Sequence, residues 1–170
     1  VFDVRVYVGV ASQEEALAAF VHPYTLSFRG SMLALDVNTG AIIWKTYTAP
    51  VGYTGNAVWG SSPAIDTKRN QLCIGTGNNY SVPTDVLQCV ANAGGNPAAQ
   101  SACLSSSDYV DSLMALDLDT GAVHWATRAI PYDAWTVDCI PLGFNDGSQC
   151  PQPAGPDFDF GQAPALFKVK

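Results

Sequence analysis

The residues of this chain whose chemistry is easiest to assign are its five cysteines. They are Cys73, Cys89, Cys103, Cys139 and Cys150. None belongs to a C-x-x-C pair, so a zinc site is not expected. Two pairs, Cys89 with Cys103 and Cys139 with Cys150, each bracket a polar, Gly-rich stretch that we expect not to order by itself. We predict that each pair forms a disulfide, which requires an oxidising compartment, and that Cys73, inside the apolar "QLCIGTG", is a buried free thiol.

The chain contains one phrase twice. "MLALDVNTGAIIW" (32–44) and "LMALDLDTGAVHW" (113–125) match at the same internal positions. In each copy an apolar run ends in Asp, a Thr-Gly turn follows, and the return is rich in β-branched and aromatic residues, which predicts an antiparallel hairpin. Trp44 and Trp125 occupy the same place in the two return strands. We therefore expect each tryptophan to pack between neighbouring sheets.

A second repeated phrase extends the second hairpin into a larger unit. "GSSPAI" (60–65) is matched by "GQAPAL" (161–166), and residues 58–128 then contain four strands in succession with residues 79–109 as an insert. Four antiparallel strands form one blade of a β-propeller. The sequence thus predicts an all-β partial propeller of about two and a half blades, divided into a partial blade with an insert (1–57), a full blade (58–128), and a disulfide loop with the start of the next blade (129–170).

Because a closed propeller needs roughly 4–8 blades, we expect this chain to be a segment of a longer protein. The missing blades would come from that parent protein or from a second copy. On its own, the segment is expected neither to bind a cofactor at the propeller axis tightly nor to be active.

Composition excludes several classes of function. The chain has 8 Lys and Arg against 15 Asp and Glu, for a net charge of −7, which argues against a nucleic-acid surface. No apolar run is long enough to cross a bilayer. The one helix-like segment is residues 12–20, where Ser12 is a possible cap. With its predicted disulfides, the chain is expected to be secreted, into the extracellular space or the periplasm.

The doublet "ALD-x-x-TG-x-x-x-W" resembles the tryptophan-docking motif of the quinoprotein alcohol dehydrogenases. "AVWGSSPAID", "CIGTGNNYSVP" and "GPDFDFGQAPALF" are similar in particular to the polyvinyl alcohol dehydrogenase-like branch. The resemblance covers nearly the whole chain. It implies part of an eight-bladed propeller around pyrroloquinoline quinone (PQQ) and calcium, and oxidation of a small or polymeric alcohol. In that chemistry the metal polarises the quinone, a carboxylate takes the hydroxyl proton, and hydride passes to the cofactor.

The same resemblance assigns metal and cofactor ligands. An acidic residue upstream of an Arg-Gly pair implies Glu14 or Glu15 as a calcium ligand, and the Asn of "GTGN" implies Asn78 as a second, both being hard oxygen donors. The alternatives are a helix N-terminus for the glutamates and a strand-end turn for the asparagine. Arg29 is the candidate partner for the carboxylates of the cofactor, with a surface or inter-blade salt bridge as its alternative.

The candidate catalytic loop departs from the family pattern. The family's base follows Trp in "P-H-D-E-W-D", but here the phrase reads "PYDAWT" and Thr136 occupies the base position. Threonine cannot accept the alcohol proton as a carboxylate can. Asp133 and Asp138 are therefore the candidate bases, and Trp135 is kept as a candidate cofactor contact.

The adjacent cysteine pair that related sequences can carry before "FRGS" is also absent, since residues 25–27 read "TLS". With Thr136, this absence supports an alternative, a secreted propeller that serves as a non-catalytic binding or structural module.

Overall fold

The computed structural model describes residues 1–59 and 62–168, and its secondary structure is mostly short strands. Gly60 and Ser61, at the start of the second repeated phrase, lie outside the described residues. The elements, in chain order, are β1 (Arg5–Val10), α1 (Glu14–Phe20), β2 (Ser31–Asp36), β3 (Ile42–Tyr47), β4 (Thr54–Gly55), β5 (Ala64–Asp66), β6 (Gln71–Gly75), β7 (Asn79–Ser81), α2 (Thr84–Asn92), α3 (Pro97–Cys103), β8 (Ser112–Asp117), β9 (Val123–Arg128) and a 3-10 turn (Val137–Cys139).

The repeated phrase folds as two equivalent antiparallel hairpins, β2–β3 and β8–β9. In the first turn, Asp36 Oδ1 accepts hydrogen bonds from the backbone N–H groups of Asn38 and Thr39 and from the Thr39 hydroxyl. The second turn repeats the same three bonds around its own aspartate. Gly40 and Gly121 both have a φ of 72°, which a residue with a Cβ adopts only with strain. Local sequence therefore determines both turns.

Neighbouring strands extend these hairpins into sheets. The order is β1-β2-β3 in one sheet and β5-β6-β8-β9 in another, and β4 pairs with β7 in a small third sheet. All of these pairings are antiparallel. The predicted all-β class is thus confirmed. No strand forms within residues 161–168, so the start of a further blade and the blade boundaries stay predictions.

The two larger sheets pack face to face through one core that includes Tyr7, Met32, Trp44, Leu72 and Met114. Trp44 is 8% exposed. Its Nε1 donates to the carbonyl oxygen of Leu118, 3.1 Å away, in the turn of the other sheet. The prediction that Trp44 packs between neighbouring sheets is therefore confirmed.

Trp125 behaves differently from its counterpart. It is 44% exposed, because no second sheet among the described residues covers it. The prediction that Trp125 also packs between neighbouring sheets is wrong for this chain.

The insert is more ordered than its composition suggested. Both predicted disulfides form, Cys89–Cys103 and Cys139–Cys150, and Cys73 is a buried free thiol. With its disulfide formed, the first bracketed stretch is helical, since α2 and α3 occupy it. Val86 and Val90, on one side of α2, are buried in a second apolar core, and the disulfide ties the two helices together. No helix among the described residues is long and apolar enough to cross a membrane.

Candidate functional site

Four segments bring acidic side chains together beside the end of β6, where Asp111 and Asp133 are buried and Asp157 and Asp159 are exposed. We call this the acidic cluster, and its members are Glu15, Asp111, Asp133, Asp157 and Asp159. Asn78 adjoins it, since its backbone N–H donates to Asp159 Oδ1 at 3.0 Å. The carboxylate of Asp133 accepts from the backbone N–H groups of Asp157 and Phe158, at 3.2 and 2.7 Å. Residues far apart in sequence thus form one site.

The two adjacent glutamates of α1 have different surroundings. Glu14 accepts three hydrogen bonds, from the backbone and hydroxyl of Ser27 and from the backbone of Phe28, at 2.7 to 2.8 Å. Glu15 instead faces the acidic cluster, where burial and then the charges of Asp159, Asp157 and Asp133 raise its pKa to about 8. Of the two candidate metal ligands, the structure therefore brings only Glu15 to the cluster.

Asn78 presents an oxygen without a donor. The side chain is fully buried, and its Nδ2 donates to the carbonyl oxygen of Trp135 at 3.0 Å. That bond identifies the other atom as Oδ1, which finds no hydrogen-bond partner among the described residues. Because buried amide oxygens are almost always satisfied, an orphaned one beside several carboxylates is a donor set that suits a hard cation such as calcium.

Two glycines let the backbone approach the cluster closely. A Cβ at Gly77 would lie 1.9 Å from Asp159 Oδ1, and one at Gly155 would lie 2.1 Å from Asp133 Oδ1. Any side chain at either position would displace a carboxylate of the cluster. The two positions thus require glycine for reasons of space.

The cluster has negative charge without a compensating cation. Asp111 and Asp133 are 2% and 0% exposed. Burial, with neighbouring carboxylates, raises the pKa of both. No ion pair between described residues involves a member of the cluster. Without a bound cation, protons must neutralise part of this charge.

Asp138, the other candidate base, lies in the disulfide loop. Its side chain is buried and accepts from Asn145 Nδ2 at 2.9 Å and from the backbone N–H of Gln149 at 2.7 Å. Its Oδ1 also lies 3.8 Å from Nε2 of His22. No hydrogen bond or ion pair within 1–59 and 62–168 joins Asp138 to Asn78 or Asp133. These contacts fit a residue that holds the loop closed.

The two candidate cofactor contacts lie on different segments of the chain. Arg29 donates from Nε and Nη2 to the carbonyl oxygen of Ala49, at 3.0 and 2.7 Å, and its guanidinium lies 4.0 Å from the ring centre of Tyr47. Trp135 is anchored by its backbone, with its N–H donating to the carbonyl of Asn79 at 2.9 Å. The structure therefore joins Trp135 to the Asn78 strand end. Arg29 pairs through its backbone with Gly55, on the strand next to β7, and no hydrogen bond or ion pair among the described residues joins its side chain to the acidic cluster.

Sequence reasoning missed three of the five acids. Asp157 and Asp159 belong to "GPDFDF", which contributed only to the resemblance, and Asp111 lies two residues before the repeated phrase. Each of these acids adjoins an apolar or aromatic residue, which is a weak signal by itself.

Comparison with known proteins identifies the family. No family model matches the chain. A polyvinylalcohol dehydrogenase of Sphingopyxis sp. (strain 113P3) is 33% identical over 182 aligned positions, covering 99% of this chain. One from Pseudomonas sp is 30% identical over 181 positions, covering 98%. The chain belongs to the quinoprotein alcohol dehydrogenase family. It spans 24% of the length of each of these relatives.

Solved structures of the family show the same fold. The quinohemoprotein alcohol dehydrogenases of Comamonas testosteroni and Pseudomonas putida HK5 match 80% of the chain with TM-scores of 0.53 and 0.52, both at 23% identity. The chain covers 20% of each of those structures. Its fold is thus part of a propeller, as the repeats predicted, and matches part of the quinoprotein dehydrogenase fold that the resemblance implied.

Proposed function

We propose that this chain forms part of the active-site wall of a quinone-dependent alcohol dehydrogenase. The orphaned Oδ1 of Asn78, buried beside the acidic cluster, is the single observation that carries the proposal. The rest of the ring would come from further blades of the same polypeptide or from a second copy. The named relatives support an alcohol as substrate, including a polymeric one.

Glu15 and Asn78 are the proposed calcium ligands. A carboxylate and an amide carbonyl are hard oxygen donors, which calcium prefers. A bound cation would favour the ionised form of Glu15, whose pKa of about 8 reflects burial and neighbouring negative charge. Metal binding and proton release should therefore be coupled at this site.

Asp133 is the proposed base. Its carboxylate accepts two backbone hydrogen bonds that fix its orientation, and it belongs to the same cluster as Glu15. Thr136 cannot replace it, because its hydroxyl donates to the carbonyl oxygen of Gln149 and has no suitable proton affinity. Asp138 is the second candidate, and its two donors already hold it in the disulfide loop.

Arg29 and Trp135 are the proposed cofactor contacts. PQQ, when bound, would supply the acceptor for the substrate's hydride. Nη1 of Arg29 makes no hydrogen bond among the described residues, so it can still donate to a carboxylate of the cofactor. The Trp135 ring is partly exposed and offers an aromatic surface for stacking.

Two disulfides favour an oxidising environment, and we propose that the protein is secreted or periplasmic.

A second candidate function, a non-catalytic propeller module, is favoured by Thr136 at the position of the family's base.

Titration with calcium chloride tests the metal site directly. We expect the wild-type chain to release protons near pH 7.5 as calcium binds, and Glu15→Gln and Asn78→Ala to weaken binding at least tenfold. Glu14→Gln is the matched control and should bind as wild type does. Equal binding by all four proteins would refute the proposed ligands.

Dye reduction with simple alcohols then tests the activity. We expect turnover with PQQ and calcium when all blades are present, and none from the 170 residues alone. Calcium binding without turnover in the full ring would favour the non-catalytic module.

A further inference from the structure

His22 and two aspartates of the disulfide loop form a group of metal-ligand atoms that includes none of the proposed calcium ligands. Nε2 of His22 lies 3.8 Å from Oδ1 of Asp138, and Nδ1 lies 3.7 Å from Oδ1 of Asp146. One ring nitrogen and one carboxylate oxygen from each acid all lie within 4.8 Å of one another. Ligand atoms about 2.1 Å from a tetrahedral zinc ion are about 3.4 Å apart. Small side-chain rotations would therefore bring all three ligands onto one ion.

The imidazole of His22 is held in a tautomer that suits a metal ligand. Its Nε2 lies 3.1 Å from the carbonyl oxygen of Ala19. Because a carbonyl oxygen can only accept, we assign the proton to Nε2, which leaves the lone pair of Nδ1 free on the side of Asp146. A histidine that binds a metal through one ring nitrogen usually donates the other N–H to a carbonyl or a carboxylate. His22 already makes this supporting bond.

Hydrogen bonds also fix the two carboxylates. The Asp138 side chain is fully buried, and it accepts from Asn145 Nδ2 through Oδ1 at 2.9 Å and from the Gln149 N–H through Oδ2 at 2.7 Å. Oδ1 of Asp146 accepts from the backbone N–H of Ser148 at 2.9 Å. Each carboxylate oxygen has two lone pairs, so both Oδ1 atoms keep one for a metal ion. The three ligands are thus oriented before any ion binds.

The group lies where two segments of the chain already meet. His22 follows the end of α1, and the two acids belong to the loop that the Cys139–Cys150 disulfide closes. The same segments also meet where the rings of Phe20 and Phe144 stack, with their centres 5.3 Å apart. An ion shared by His22 and the loop would strengthen this contact and hold α1 in place.

We propose that His22, Asp138 and Asp146 bind a borderline-soft divalent metal ion such as zinc, which fastens the disulfide loop to α1. One imidazole with two carboxylates suits zinc, whereas calcium takes oxygen ligands alone. The proposal does not rest on the proposed function, because it uses none of the proposed calcium ligands. A metal-bound Asp138 would not be free to act as a base, which agrees with the choice of Asp133.

Calorimetric titration of the 170-residue chain with zinc chloride, at pH 7.5 and in excess calcium, tests the site. We expect one equivalent of zinc to bind the wild type, and His22→Gln and Asp146→Asn to bind it at least tenfold more weakly. Asp146→Asn keeps an acceptor oxygen for Ser148 and changes an exposed side chain, so it decides the test if His22→Gln does not fold.

The other histidine of the chain supplies the matched control. His124 lies 3.4 Å from Asp117, but no third ligand residue among the described residues completes a group there. His124→Gln should therefore bind zinc as the wild type does. Zinc should also raise the thermal unfolding midpoint of the wild type and of His124→Gln, but not that of His22→Gln.

Three results would overturn the proposal. They are equal zinc affinity in all four proteins, weakening by His124→Gln as large as that by His22→Gln, and displacement of zinc by calcium, which would assign these residues to a hard cation. Zinc binding that persists in Glu15→Gln, a variant expected to lose calcium, would show that the two sites are separate. These outcomes are the same whether or not the full ring oxidises alcohols, so failure of the proposed function leaves this test intact.

Discussion

Neutralising Glu15 should stabilise the metal-free chain, whereas the same change at Glu14 should destabilise it. The pKa of Glu15 is raised from 4.5 to about 8, first by burial. The folded state therefore binds more protons than the unfolded state between these values, and stability falls as pH rises from about 4.5 to about 8. At about 1.4 kcal/mol per pKa unit, the full penalty would be about 5 kcal/mol. Because Glu15 is partly exposed, solvent screening reduces this to about 2 kcal/mol.

Glu14→Gln has the opposite expected sign. Its carboxylate accepts three hydrogen bonds from Ser27 and Phe28. A neutral amide retains only one acceptor oxygen, so the loss should be about 1–2 kcal/mol.

The assay is urea unfolding of both variants and wild type at pH 5 and pH 8.5, with and without calcium. Without calcium, Glu15→Gln should gain stability over wild type at pH 8.5 and little at pH 5. With calcium, wild type should gain stability and Glu15→Gln should not. Destabilisation by Glu15→Gln equal to that of Glu14→Gln would show that Glu15 is not held in an unfavourable acidic environment.

Five further substitutions, in three tests, examine the sheet contacts and the disulfide loop. Gly40→Ala and Gly121→Ala should each cost about 1 kcal/mol of φ strain. An added Cβ meets nothing within 4 Å at Gly40, but at Gly121 it would lie 2.5 Å from the Trp44 ring. Thermal unfolding should therefore show an extra loss of stability, about 1–3 kcal/mol, only for Gly121→Ala. Trp44→Ala should cost about 3–5 kcal/mol, and Trp125→Ala below about 1 kcal/mol; equal losses would contradict the difference in packing. Cys139→Ser should lower the free energy of unfolding by about 2–3 kcal/mol. Because the variant has no disulfide in this loop, a reductant should not change the unfolding of the loop any further.

The parts of this fold that local sequence determines could be predicted, and those that depend on distant contacts could not. The hairpins rest on an Asp and a Gly a few residues apart, so the repeated phrase predicted them. The acidic cluster depends on pairs such as Asn78 and Asp159, which are 81 residues apart in sequence. Sequence could not show whether Glu14 or Glu15 faces the cluster, since adjacent helical residues point about 100° apart and only packing selects one. Nor could it show that Trp125 lacks a covering sheet, because its local phrase is the same as that of Trp44.

The unequal burial of the two tryptophans gives the chain a direction. Trp44 reaches forward onto the turn that contains Gly121, while the equivalent turn at Gly40 is uncovered and Trp125 is exposed. One side of the chain thus exposes the Trp125 ring, and the other exposes the Gly40 turn, which is equivalent to the turn that Trp44 contacts. A contact between two such different surfaces is a heterologous interface. Interfaces of this kind either close into a ring or continue as an open array, according to the rotation between successive units.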